Sequence, residues 1–444
     1  MTAQAWWLIV LALAGVVVLV GLVAWARLNA FLALLTAALL VGAGSRQPML
    51  EVARAFREGM GETLGGIAGV ICLGTMLGKL LAESRGAEVL AKEFALFFGP
   101  RRIGLCIMAL ALVVGLTTWF AVGLILLAPI LHALTRETHR PFLHLALPLL
   151  ACLSVMHGFM PPHPGPVMAI NALHANAGLV LLWGFVLGLP TAIVAGPVFA
   201  RLADRYVPVS APIVPPPPPR PGVGRPSFRL TVFSMLLPVG LMLLATLADL
   251  SGSRGQWRAL VDFLGDPTTA LFIAVLFGHW SLGVRCGFGA AQLLKFTEES
   301  VAGVGMTLLI VGGGGGFARV LQTTGVAGAL GAMAAAAHLS PLLYGWLVSA
   351  FIRVATGSAT VAITAASALL APVLVAHPGV NTELAVIAIG CGSLFLSHLN
   401  DSGFWIVKEC LNLTVAQTLR TWTLCETIIG LAGLALTLLA SVLI

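Results

Sequence analysis

The chain has 444 residues, 59% of them apolar and only 9% charged, with a mean hydropathy of +1.01. Soluble domains carry about a quarter charged residues, so this composition excludes an ordinary soluble enzyme or binding module and predicts an all-α polytopic membrane protein with the lipid bilayer as its solvent. The net charge of +7 is scattered over loops, which suits an orientation signal and excludes a nucleic-acid surface.

No basic residue precedes the first apolar run, so residues 6–24 are expected to be a spanning helix and not a cleaved leader. A second span is predicted over 31–43. Residues 44–60 carry Arg46, Glu51, Arg54, Arg57 and Glu58 and read as an interfacial amphipathic segment. A Gly-rich span follows over 61–82, then a short amphipathic helix over 86–98 that Pro100 stops. Two short apolar arms, 103–116 and 120–131, flank Thr117 and Thr118 and predict a re-entrant hairpin. A helix over 142–156 runs into a break, and 179–200 closes a first repeat, 1–200. Residues 201–229 hold five arginines and the run Pro215–Pro219, and read as an extended cytoplasmic linker. The second repeat is 230–444, with spans expected at 230–247 and 269–277. The seven cysteines form no CxxC pair and lie mostly in apolar runs, as buried structural thiols do.

The two halves share landmarks in one order. Phe56 and Phe296, Lys79 and Arg319, Thr117 and Ser358, His157 and His398, and Pro129 and Pro372 are separated by 240 to 243 residues. A near-constant offset with weak identity predicts two inverted structural repeats, each with a hairpin and an interrupted helix.

Two stretches carry the chemistry. Residues 154–166 hold His157, Gly158, Pro161, Pro162, His163, Pro164, Gly165 and Pro166, too many helix breakers for a continuous helix. Residues 397–405 place Ser397, His398, Asn400, Asp401, Ser402 and Gly403 at the end of another apolar segment. Broken backbone at membrane depth survives only when buried in protein or lining a polar cavity. Thr356, Gly357, Ser358 and Thr360 form a hydroxylated tip whose freed N–H groups suit an anion; the competing use of such hydroxyls is back-bonding to their own helix. Arg353, four residues earlier, is a clamp for a substrate carboxylate or a snorkelling cation. Asp401, the one acid inside either break, is a candidate proton carrier as well as a helix N-cap, with His398 and His157 as titrating partners. His157, His163 and His398 lack the further ligands a metal needs, so neither metal nor cofactor is expected. Lys79 and Glu83 are spaced to pair on one helix face, and Gly312–Gly316 reads as tight packing or a hinge.

The segments 157–166, 353–362 and 397–405, with Thr421, Trp422, Thr423, Glu426 and Thr427, resemble the helix break, second hairpin and C-terminal signature of the gluconate permease family of proton-coupled sugar-acid symporters. That resemblance implies uptake of gluconate or a related hydroxy or amino acid across a bacterial inner membrane, in a homodimer built as a scaffold plus a transport domain that moves like an elevator. The Pro/Arg-rich linker and the bulky Thr117-Thr118-Trp119-Phe120 tip depart from the family pattern. Sodium in place of the proton, and D-serine or glycerate in place of gluconate, stay open. A membrane-embedded hydrolase would need a nucleophile–base pair that the sequence lacks.

Overall fold

The computed structural model describes residues 3–207, 209, 224–251, 255–326, 329, 340–399 and 401–443. Among them the regular structure is helical throughout, and nine helices are long and apolar enough to cross a membrane, or ten if the bent pair Ala290–Ala302 and Gly305–Thr323 counts as one span. Four shorter apolar helices accompany them: Ala30–Gly44, Ile103–Gly115, Pro341–Thr356 and Thr382–Leu394. Most of the linker, including Pro215–Pro219, lies outside the described residues, as does Asn400.

One boundary differs from the sequence reading. The interfacial segment and the Gly-rich span are a single 35-residue helix, Met49–Glu83. No proline or capping residue separates them, and Gly59 packs against the Gly315 carbonyl, so glycine serves close helix approach there without ending the helix. In the second half the corresponding pair is bent by 42° at Gly303 and Val304.

Two helical hairpins stand at the expected tips, and the second arm of each, Phe120–Thr138 and Ala359–Ala376, is long and apolar enough to cross a membrane. Ile103–Gly115 and Phe120–Thr138 make the first; Pro341–Thr356 and Ala359–Ala376 make the second. Both interrupted helices are present: Leu143–Phe159 breaks before Pro164–Leu173, and Thr382–Leu394 breaks before Ser402–Cys410. Helices beginning at Pro341, Ala359, Thr382, Ser402 and Val415 follow those beginning at Ile103, Phe120, Leu143, Pro164 and Ala177 by 238, 239, 239, 238 and 238 residues.

The two helices that lead into the breaks form the centre. Leu143–Phe159 and Thr382–Leu394 are buried along almost their whole length, which is the fate of helices apolar on every side. They cross where a Cβ on Gly390 would stand 2.3 Å from the Gly158 carbonyl. Only glycine permits that approach. Outside this core, Gly312–Gly316 is wholly buried. Its residues face Leu64, Phe31, Thr364, Thr63 and Phe56 in turn. The run is a packing surface for two neighbouring helices, Ala30–Gly44 and Met49–Glu83, and for the second hairpin.

Polar pairs sit at the periphery. Lys79 bonds Glu83 and Glu299, each at 2.9 Å, joining Met49–Glu83 to Ala290–Ala302. Arg258 is gripped by Asp262 at 2.7 Å and Asp249 at 3.1 Å, and the Asp262 hydrogen bond raises its already high pKa. All seven cysteines are free thiols, with Cys72 and Cys410 half-buried and the rest buried.

Candidate functional site

The two breaks and two hairpin tips meet at one cavity of about 200 Å³. It is bounded by Trp119, Phe120 and Ala121 of the first hairpin and by Ser154, His157 and Pro164 of the first break. Arg353, Gly357, Ser358 and Thr360 come from the second hairpin, Asp401, Ser402 and Gly403 from the second break, and Trp422 and Glu426 from the C-terminal helix. Four helices therefore begin at this space: Phe120–Thr138, Pro164–Leu173, Ala359–Ala376 and Ser402–Cys410. Their positive dipole ends face it, an arrangement that favours an anion, although Pro164 and Pro166 offer no N–H and that of Gly403 is held by Asp401.

Arg353 is buried and paired with Asp401 across the cavity wall. Its second amino group donates to the Gly357 carbonyl at 2.7 Å, fixing the left-handed turn of the tip. Asp401 also accepts from Ser397 Oγ and, at 2.7 Å, from the Gly403 N–H. It is thus the N-cap of Ser402–Cys410 as well as the partner of Arg353. Ser397 in turn accepts from Trp422 Nε1 at 2.7 Å. This chain ties hairpin, break and C-terminal helix together.

The remaining expected residues fall in two groups. His157, Arg353, Gly357, Ser358, Thr360, Asp401 and Ser402 line the cavity. Thr117, Thr118, Gly158, Pro161, His163, Thr356 and His398 stand behind it. Thr117 Oγ1 donates to Met235 Sδ at 3.1 Å, and Thr118 and Thr356 back-bond to Val114 and Ile352 at 2.8 and 2.7 Å. His163 Nε2 lies 2.6 Å from the Gly115 carbonyl, and His398 Nε2 lies 3.0 Å from that of Val354. Each break is therefore pinned by a histidine to the first arm of its hairpin. Gly158 makes the helix crossing already described. Sequence reasoning did not assign Ser154, Trp119, Phe120, Trp422 or Glu426 to the site, although Trp119 and Phe120 belong to the first tip and Trp422 and Glu426 to the C-terminal signature. A signal for the last was present, because Glu426 is the sole charged residue of Leu424–Leu443, and an intramembrane acid is a functional candidate by default.

Six buried side-chain polar atoms lack a hydrogen-bond partner among the described residues, and three line this cavity: Arg353 Nε, His157 Nδ1 and Glu426 Oε1. Buried polar atoms are nearly always partnered, so their gathering at one space marks a polar ligand's place. No cluster of three or more metal-ligating side chains occurs among the described residues.

Comparison with known proteins decides the family. The model of the GntP family permeases matches residues 7–443. The chain belongs to that family. A gluconate permease of Pseudomonas aeruginosa is 41% identical to this permease over 437 residues, which cover 98% of this chain and 97% of that one. A D-serine transporter of Escherichia coli is 34% identical, covering 99% of both. Among solved structures, MtrF of Neisseria gonorrhoeae, described with a class of antimetabolite efflux pumps, has a TM-score of 0.61 at 15% identity over 90% of this chain and 85% of that one. That likeness shows a shared fold. The permease is a multi-pass protein of the bacterial inner membrane.

Proposed function

We propose that this permease takes up gluconate or a related small hydroxy-carboxylate together with protons, by elevator-like alternating access in a homodimer. The observation that carries the reading is the meeting of four helix N-termini with Arg353 at one small, partly unsatisfied cavity. The volume is below the roughly 300–1,000 Å³ of drug-sized sites, which suits a small substrate. A carboxylate would take the Arg353 Nε donor and the free N–H groups of the tips, while Ser358, Thr360 and Ser402 would meet substrate hydroxyls.

Coupling follows from the ion pair. A substrate carboxylate competes with Asp401 for Arg353, and the two acids that face the cavity, Asp401 and Glu426, are the candidate sites for the proton that accompanies it. His157 faces the same space, and His398 holds the hairpin beside it, so both can influence that exchange. The repeated order of hairpin and broken helix supports inverted repeats 1–200 and 230–444 around a linker at 201–229, with substrate between them.

Uptake of labelled gluconate into proteoliposomes under an inward proton gradient tests this. Accumulation abolished by an uncoupler is expected. Accumulation that needs sodium and ignores the proton gradient would replace the coupling ion. A second substrate class has one supporting observation: Asp401 and Glu426 both face the cavity, and two acids can hold the ammonium group of an amino acid such as D-serine. Competition of labelled gluconate uptake by D-serine and glycerate distinguishes these.

A further inference from the structure

We propose that Glu426 is the residue that carries the transported proton. The inference rests on the symport reading above and assigns it to a carboxyl that the two breaks do not contain.

Glu426 lies in the first turn of Leu424–Leu443, with only 1% of its surface exposed. Its Oε1 has no hydrogen-bond partner, and its side chain borders the cavity that holds Arg353. Asp401 differs in every respect that matters for proton exchange. Its Oδ2 is engaged by Arg353 and Ser397, and its Oδ1 by the Gly403 N–H. An oxygen already held by donors has little room for a proton; an oxygen with none is open to one.

The charges around Glu426 give that proton a task. Arg353 and Asp401 both act on it electrostatically, and Ser154 is placed to hydrogen-bond its carboxyl from Leu143–Phe159. The Cys425 thiol adjoins it in the chain, and His157 faces the same space. Arg353 and Asp401 balance each other. An ionised Glu426 then leaves the cavity with one negative charge, which repels an anionic substrate. A neutral Glu426 removes that repulsion, and Ser154 can donate to either form.

The step is a proton transfer. An O–H bond forms on Glu426 Oε1 with a proton taken from water on the side facing the gradient. The anion binds, the loaded site changes sides, and the O–H bond breaks as the proton returns to water. One proton crosses with each monoanionic substrate.

The sign is explicit. The protonated form binds the anion, so affinity falls as pH rises through the titration of Glu426, by about tenfold per pH unit in the limit of full coupling. Binding of gluconate to the full-length purified permease, followed calorimetrically from acid to alkaline pH, reads this directly. Wild type should show the fall. E426Q, permanently neutral, should bind with an affinity that no longer depends on pH, and E426D should restore the dependence. In proteoliposomes, proton-driven accumulation by E426Q should be lost. A pH dependence in E426Q equal to that of wild type, or undiminished proton-driven accumulation, overturns the proposal. Should E426Q not fold, infrared difference spectra of wild type on gluconate addition take its place. A carboxylic-acid band that appears with substrate and shifts in E426D supports the assignment, and a band unmoved by E426D overturns it. Wild-type uptake indifferent to the proton gradient would sink the symport reading, and the pH dependence of binding would still judge Glu426.

Discussion

Arg353 on the second hairpin is ion-paired with Asp401 at the second break, and both are buried. The two residues are 48 positions apart in the chain. Their pairing fixes the hairpin tip against the start of Ser402–Cys410 and places a charged fork beside the space where four helix N-termini meet. Desolvation makes such a pair costly to build, so it contributes little net stability but a great deal of geometry.

The first prediction follows. Arg353→Ala or Asp401→Asn leaves one buried charge alone and should cost about 3–5 kcal/mol. Thermal unfolding of the purified permease measures it. The double substitution to Met and Leu should recover most of that stability and still bind no gluconate. Recovery of binding in the double variant would remove the pair from the site.

The hydroxyls of the second tip should separate by position. Ser358 borders the cavity and also caps Ala359–Ala376, accepting from the Val361 N–H at 3.3 Å. Ser358→Ala should weaken gluconate binding by about 0.5–1.5 kcal/mol through one neutral hydrogen bond and lower stability by about 1 kcal/mol through the lost cap. Thr356→Val should leave affinity nearly unchanged, because its hydroxyl donates to the Ile352 carbonyl and accepts from the Ser358 N–H at 3.4 Å, both within the hairpin. Equal effects of the two on affinity would contradict the geometry.

Glycines divide in the same way. A Cβ on Gly315 would meet Thr63 Oγ1 at 2.0 Å and the Gly59 carbonyl at 2.7 Å, whereas one on Gly65 would meet nothing within 4 Å. Gly315→Ala is therefore expected to destabilise by about 1–3 kcal/mol through overpacking. Gly65→Ala should stabilise by about 0.4–1 kcal/mol, since the unfolded chain loses freedom and the helix loses nothing. Melting temperatures in detergent should move in opposite directions.

The histidines behind the site give a fourth test. His163 and His398 each hold a carbonyl of a hairpin arm. Replacing either with Ala leaves a carbonyl short of a partner and should cost about 1–3 kcal/mol. The damage should appear in stability and in hairpin protection measured by amide exchange. A fall in substrate affinity with stability intact would instead place these rings in contact with ligand.

Much of this was written into local sequence. Membrane-length apolar runs, prolines that cannot remain in a helix and hydroxyls at a Gly-broken tip are local signals, because hydropathy and backbone geometry act over a few residues. They marked the hairpins, both breaks, and Arg353, Ser358, Thr360, Asp401 and Ser402 as site residues. What only the tertiary structure decided is which polar groups face the shared space. Thr117 and Thr356 carry the same hydroxyl as Thr360, yet their direction is set by the turn of a helix and by its neighbours. Arg353 was a clamp or a snorkelling cation until the fold brought Asp401 to it. Glu426 belongs to an apolar helix far along the chain from either hairpin, and becomes a cavity residue only because Ser397 and Trp422 draw that helix against the second break. Contacts between distant segments depend on packing, and packing has no signature within a short window of sequence.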